Sequence, residues 1–273
     1  MNDSPRRRAA TLDHNARAWD RLAAAGAALT RPAVDGAFAD PLGWLGGGGP
    51  GESRWLPESL VGLEVLCLAA GGGKHGPLYA AAGARVTVLD LSPAMLALDR
   101  AVARERRLDL ELVEGSMDDL RALAAGRFDV VIHPVSTCYV ADVGAVFAAV
   151  ARVVKPGGVY VSQHKAPASL QTGVSPGPTG RYEIHLPLDA RDPLPAGEPS
   201  RFREPGTLEF VHSLSALLGG ICRAGFVIED VHEPPHAVAD ASPGSFGHRA
   251  RFLPPYLRVL ARRRGTAPAI VVA

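Results

Sequence analysis

From Leu63 onward the chain alternates short apolar runs with stretches in which apolar residues recur every three or four positions, the pattern of parallel βαβ units. The runs predict strands over 63–68, 85–90, 110–114, 130–133 and 159–163. They are near-continuously apolar, as when both faces of a sheet are covered. Between them the periodicity predicts helices. One opens with Ser92 as cap and Pro93 in its first turn, and Met95, Leu98 and Val102 share a face. Another turns Val143, Val146, Phe147 and Val150 inward and stops at Lys155-Pro156-Gly157-Gly158, where proline cannot continue a helix.

The flanks read differently. Residues 1–60 predict a helical segment, with Trp19, Leu22 and Ala23 at helical spacing behind a cap at Asp13, and Gly46 to Gly51 predicts a flexible loop. Between Ala166 and His212 prolines and glycines crowd in. Only Tyr182–Leu188 and Leu208–His212 look strand-like there, so the stretch reads as an insertion. Ser213 then caps a helix carrying Leu214, Leu217, Leu218 and Ile221, which ends at Gly225. Strands follow at Phe226–Val231 and Tyr256–Leu260. The expected fold is α/β, a doubly wound and mostly parallel sheet. It divides into an N-terminal segment (1–60), a core (61–165), an insertion (166–212) and a C-terminal return to the core (213–273).

Composition narrows the function classes. A chain of 273 residues can bury a core without staples, which excludes a disordered or disulfide-held protein. Lys+Arg 29 against Asp+Glu 28 gives +1, so no chain-wide pull toward nucleic acid or an anionic membrane is expected. The runs Arg6-Arg7-Arg8 and Arg262-Arg263-Arg264 read as solvated ends rather than an RNA footprint. Cys67, Cys138 and Cys222 are far apart with no CxxC pair, which argues for a reducing compartment and against a zinc site. No apolar run approaches the roughly 20 residues that span a bilayer, and Met1 to Pro5 lacks the apolar core of a signal peptide. The expected location is the cytoplasm.

The chemistry concentrates at one strand-to-helix turn. The predicted strand 63–68 runs into Ala69-Ala70-Gly71-Gly72-Gly73-Lys74-His75-Gly76, where small residues let a nucleotide approach the backbone beyond the carboxyl end of a strand. Asp90 ends the next strand, 19 residues after Gly71, close to the roughly 20 that separate glycine loop and ribose-binding acid in dinucleotide folds. Gly71, Gly73 and Gly76 spell GxGxxG, so an NAD-dependent oxidoreductase is one reading of the turn.

The blocks downstream point elsewhere. Leu66 to Gly73, Val88-Leu89-Asp90-Leu91-Ser92-Pro93-Ala94-Met95-Leu96, Glu114-Gly115-Ser116-Met117, Phe128-Asp129-Val130-Val131 and Arg152-Val153-Val154-Lys155-Pro156-Gly157-Gly158 follow in order. Over residues 60–165 the chain resembles the class I methyltransferases that use S-adenosylmethionine, whose fold is a seven-stranded Rossmann-like sheet. The resemblance implies that Ala69, Gly71 and Gly73 border the methionine part of the cofactor and that Asp90 takes the ribose hydroxyls. It places Leu91, Met95, Ser116 and Met117 around the adenine, and His133 and Pro134 beside the transferred methyl group. Ser116 stands where many relatives have an aspartate. Ala69 replaces the first glycine of the common turn and Cys67 replaces an acid, so the cofactor's ammonium needs another acceptor, such as a backbone carbonyl. The turn together with Asn15-Ala16-Arg17-Ala18-Trp19 resembles a bacterial subgroup in which that preface folds over the cofactor, with Trp19 sealing it.

Transfer from a sulfonium needs no metal, and needs a base only if the acceptor must lose a proton. Candidates are His164, Tyr139 and His133, with His185 and His212 in or beside the insertion. Tyr182, Phe202, Phe210 and His212 offer aromatic walls for an acceptor pocket, as small-molecule sites do, and fold-level analogy favours a small-molecule substrate over nucleic acid. The altered Cys67 and Ala69 keep open a methyltransferase-like fold that binds without catalysis.

Overall fold

The computed structural model describes residues 5–46, 55–196 and 200–265. Its strands are β1 (Glu64–Leu68), β2 (Arg85–Asp90), β3 (Leu110–Glu114), β4 (Phe128–His133), β5 (Val154–Lys165), β6 (Phe226–His232) and β7 (Tyr256–Arg263). They form one sheet in the order β3-β2-β1-β4-β5-β7-β6, in which β7 alone runs antiparallel to its neighbours. The expected doubly wound, mostly parallel sheet of seven strands is therefore present. The helices are α1 (Pro5–Ala24), α2 (Pro41–Gly46), α3 (His75–Ala81), α4 (Pro93–Arg106), α5 (Val143–Val153), α6 (Pro167–Gln171), α7 (Leu214–Arg223) and α8 (Phe246–Arg249).

The strand period of two sorts β1 between two cores. Leu66 and Leu68 join Val146, Phe147 and Val150 of α5 and Leu217 and Ile221 of α7, while Val65 and Cys67 join Tyr79 of α3 and Leu96 of α4. Each fully buried Val or Leu contributes roughly 1.5 to 3 kcal/mol, so a strand with two apolar faces is held at the centre. The sheet edge is different. β3 is only partly buried, because no strand covers its outer side.

Several helix starts follow from the expected caps. Ser92 accepts from the Met95 N–H (3.1 Å) and Ser213 from the Ala216 N–H (3.1 Å). Helix α1 departs from expectation. It begins by Pro5, so Asp13 sits inside it and pairs with Arg17 one turn on (2.5 Å) instead of capping. The arginines at both ends are likewise not loose tails. Arg8 forks onto Asp118 (2.7 and 2.6 Å), Arg262 forks onto Glu229 (2.5 and 2.9 Å), and Arg263 donates to the carbonyls of Ala151 and Gly225 (3.1 Å each) as β7 extends past Leu260. Of the loop expected at Gly46–Gly51, Gly46 closes α2, and residues 47–51 lie outside the described residues.

Neither strand expected in the 166–212 stretch forms. Tyr182–Leu188 makes only a single bridge, Thr172 to Ile184, and Leu208–His212 runs extended without a ladder. Pro187 removes a backbone donor that a ladder over 182–188 would need. Side chains hold the stretch instead. Buried Arg249 donates to Ser169 Oγ and to the carbonyls of Ser169, Thr172 and Gly173, and its guanidinium stacks 4.3 Å over the Phe202 ring. Buried Asn15 of α1 donates to the carbonyls of Tyr139 and Leu208 (3.1 Å each) and accepts from the Leu208 N–H (2.8 Å), which ties α1 to the insertion. No helix among the described residues is long and apolar enough to cross a membrane.

Candidate active site

A cavity of about 370 Å³ opens beyond the carboxyl ends of β1, β2, β4 and β5. A larger groove, about 650 Å³, runs between α1 and α5, but none of the glycine-turn residues line it. The strand-tip cavity is the one that joins the residues expected to bind a ligand, as open parallel sheets do.

One end of the cavity is built on the backbone. Asp90 accepts the Gly71 N–H on Oδ2 (2.8 Å) and the Ser92 N–H on Oδ1 (2.9 Å), so each oxygen keeps a lone pair for a neighbouring diol. Burial pushes its carboxyl upward and the N–H groups of Ser92 and Gly71 pull it back. At Gly71 an added Cβ would stand 2.8 Å from Met95 Cβ and 3.0 Å from the Asp90 carboxylate, so only glycine leaves that approach open. Leu91, Met95, Ser116 and Met117 complete this end. Ser116 donates to Asp118 (2.5 Å), the carboxylate that Arg8 of α1 also grips. A second acid of α1, Asp20, accepts from Ser92 Oγ (2.5 Å) and the Ala94 N–H (3.1 Å), so α1 also supports the start of α4.

The glycines do separate jobs. Gly71 and Gly72 line the cavity, whereas Gly73 faces Val102, the Leu98 carbonyl and Pro32. A Cβ on Gly76 would lie 2.4 Å from Val88 Cγ2, so that glycine serves close helix-on-strand packing. Ala69 also lines the cavity, at φ +47, in the left-handed region that glycine prefers. Cys67 is wholly buried in the core on the far side of β1 and takes no part in the cavity. Beneath the turn, buried Asp99 accepts the Gly72 N–H (2.8 Å) on one oxygen while the other finds no partner among the described residues. Burial lifts its carboxyl to about 7.

Toward β4 and β5 the two histidines singled out in the sequence lie behind the cavity wall. His133 is held by Tyr160 Oη (2.8 Å) and Ser136 Oγ (2.6 Å), and His164 by Thr137 Oγ1 and Ser162 Oγ (2.9 Å each). Burial drives both rings down to about 3, so they are neutral. Both are buried and both nitrogens of each ring are engaged. The expectation that His164 or the His133 ring reaches the reacting atoms is corrected accordingly, and Pro134 and Ser136 form the cavity surface there. His212 spends Nε2 on the carbonyls of Thr137 and Val140, and His185 is exposed.

Tyr139 and Trp19 do face the cavity, in edge-to-face contact at 5.7 Å. Near them lie groups the sequence reading missed: Lys74, His75, Gln163, Glu204, His236 and Tyr256. Burial pushes Lys74 below its usual range and His75 to about 4. Glu204 comes from the insertion and accepts from Tyr139 Oη and Lys165 Nζ on the same oxygen (2.5 Å each). Lys165 also pairs with Glu209, which Arg203 grips from its other oxygen. No spacing pattern links these residues, since β5 and the insertion meet only in the folded chain.

Residues 66–162 match the family model described as a methyltransferase domain. The chain is 38% identical over 182 residues to the uncharacterized methyltransferase YbaJ of Bacillus subtilis, covering 66% of this chain and 71% of that protein. It is 33% identical over 117 residues to a ubiquinone biosynthesis O-methyltransferase of Xanthomonas oryzae, spanning 42% of this chain and 49% of that enzyme, about half its length. The crystal structure of an S-adenosylmethionine-dependent methyltransferase from Mesorhizobium loti superposes with a TM-score of 0.60 at 25% identity, covering 83% of this chain and all of that one.

Proposed function

The chain belongs to the class I S-adenosylmethionine-dependent methyltransferases, and from that premise we propose that it methylates a small-molecule acceptor bound at the β4–β5 end of the strand-tip cavity. The observation that carries the reading is Asp90. Its two oxygens are steadied by the backbone N–H groups of Gly71 and Ser92 and retain acceptor capacity where Asp90 lines the cavity, beside a Gly71 that has no room for a side chain. These groups fit the ribose diol of the cofactor, with Leu91, Met95, Ser116 and Met117 around the adenine and Trp19 and Pro134 toward the methyl group. Lys74, set into the wall next to Gly72, suits the methionine carboxylate.

When bound, S-adenosylmethionine supplies a methyl group already activated by its sulfonium. The chain's residues therefore have to orient the acceptor and exclude water, and orientation alone is worth roughly 7 to 11 kcal/mol. Helix α1 and the insertion serve the second task, joined by Asn15 and Trp19 above Tyr139. Tyr139 belongs to the wall and not to proton transfer, because burial and the neighbouring Glu204 hold its hydroxyl protonated. The match to ubiquinone biosynthesis O-methyltransferases, though it spans about half of each, favours a small organic acceptor over nucleic acid.

Calorimetry with S-adenosylhomocysteine tests the reading. The wild type should bind it, and Asp90→Ala should lose about 2 to 3 kcal/mol, roughly 30 to 150-fold in affinity. A folded variant with an unchanged dissociation constant would show the ribose to lie elsewhere.

A further inference from the structure

The β5 end of the cavity holds a carboxylate, Glu204, whose charge is met from behind by Lys165 while the side chain lines the cavity. Glu204 is ionised. Burial works against its charge, but Lys165 and the Tyr139 hydroxyl outweigh that and hold it below the usual carboxylate range. Its side chain is 9% exposed, and it lines the cavity. Lys165 and Glu209 behind it are 3% and 0% exposed and take no part in the wall. The Lys165 ammonium is shared between Glu204 and Glu209, while Arg203 is engaged on the far oxygen of Glu209. Around Glu204 the wall is aromatic: Tyr139, Tyr256 and His236, the last two edge to face at 5.5 Å. A carboxylate with acceptor capacity beyond its Tyr139 and Lys165 contacts, set among aromatic faces, favours a ligand that brings a cation or an N–H donor, because it can accept a further hydrogen bond and the rings attract positive charge.

We propose that the methyl acceptor is an amine or nitrogen heterocycle and that Glu204 is the residue that recognises it, a specificity that rests on the methyltransferase reading above. The acceptor is captured at Glu204 as its ammonium ion and reacts once that proton has passed to water, or, in a heterocycle, it lies with its ring plane against Tyr139 and Tyr256. Its nitrogen lone pair forms the bond to the methyl carbon as the carbon–sulfur bond breaks and that pair stays on sulfur. The positive charge thereby passes from sulfur to nitrogen, toward Glu204, and no base is needed in the step. Acceptors bearing a carboxylate or phosphate at that position are repelled by the same acid. Lys165 and Glu209 are positioning residues, which keep Glu204 ionised and in place.

The test uses the full chain saturated with S-adenosylhomocysteine and three probes of similar shape: 2-phenylethylamine, 3-phenylpropanol and 3-phenylpropanoate, titrated by calorimetry. The amine should bind at least 10-fold tighter than the alcohol, and the carboxylate weakest. In Glu204→Gln the preference for the amine should vanish while S-adenosylhomocysteine affinity stays within 2-fold, which also reports that the variant is folded. Equal binding of amine and alcohol, binding of none of the three, or a preference that survives in Glu204→Gln would overturn the proposal. A loss of S-adenosylhomocysteine affinity in Glu204→Gln would also overturn it by assigning the acid to the cofactor. If the wild type fails to bind S-adenosylhomocysteine, the methyltransferase reading fails before this one is reached.

Discussion

The two ends of the cavity are made of different materials. At the Asp90 end, the carboxylates of Asp90 and Asp99 accept backbone N–H groups, and the groups involved lie between Gly71 and Asp99 in sequence. At the Glu204 end they run from side chain to side chain, among Tyr139 after β4, Lys165 closing β5 and Arg203, Glu204 and Glu209 in the insertion. The first end inherits its geometry from the parallel sheet, where strand tips and helix starts are placed by the fold itself. The second depends on charges that must answer one another in a dry setting, so removing one member leaves the others exposed to the full cost of burial.

The contrast can be broken most sharply at Lys165. Lys165→Met should destabilise the protein by roughly 3 to 5 kcal/mol, because Glu204 and Glu209 are then buried against each other with only Arg203 to balance them. Urea denaturation should show the loss, and Lys165→Met combined with Glu209→Gln should recover much of it. A wild-type midpoint in the single variant would mean that the network is not what holds this end.

The backbone-built end has one weak point of its own, Asp99. Its carboxyl is raised to about 7 by burial, whereas an unfolded aspartate titrates near 4. Between these values the native chain holds a proton that the unfolded chain has released, so the Asp99 contribution falls as pH rises through that window, against the rise brought by the neutral His75, His133 and His164. That contribution is roughly 3 kcal/mol between pH 5 and pH 8, so the stability of Asp99→Asn should climb more steeply with pH than that of the wild type by about that amount. Denaturation midpoints at the two pH values decide, and an equal slope in both proteins would acquit Asp99. A smaller effect is expected at Ala69. Its left-handed backbone costs more than glycine would there, so Ala69→Gly should stabilise by about 0.5 to 1 kcal/mol, even after the entropy that glycine adds to the unfolded chain. A destabilised Ala69→Gly would show that the methyl group earns its place by packing.

Residues 63–163 were legible because their signals are local. Apolar runs covered on both faces, Ser92 as a cap, and an acid at a strand tip each act within a few positions of themselves. The same locality made Gly71 and Asp90 readable together as one end of a cavity, whereas Leu91 and Met95 came in through the resemblance to class I methyltransferases. His164 was misplaced because a strand's carboxyl end puts successive side chains on opposite faces. The sequence showed a polar residue at the right strand tip but not that Gln163 and His164 part company there, one to the cavity and one to the core.

What the chain determined by itself, then, is the parallel sheet and the Gly71–Asp90 arrangement at its strand tips, since periodicity and capping are properties of neighbouring residues. What only the tertiary structure decided is the Glu204 end. Glu204 acquires its meaning from Lys165 and Tyr139, which lie 39 and 65 residues away, and the burial that makes their charges matter exists only once the insertion has closed over the sheet.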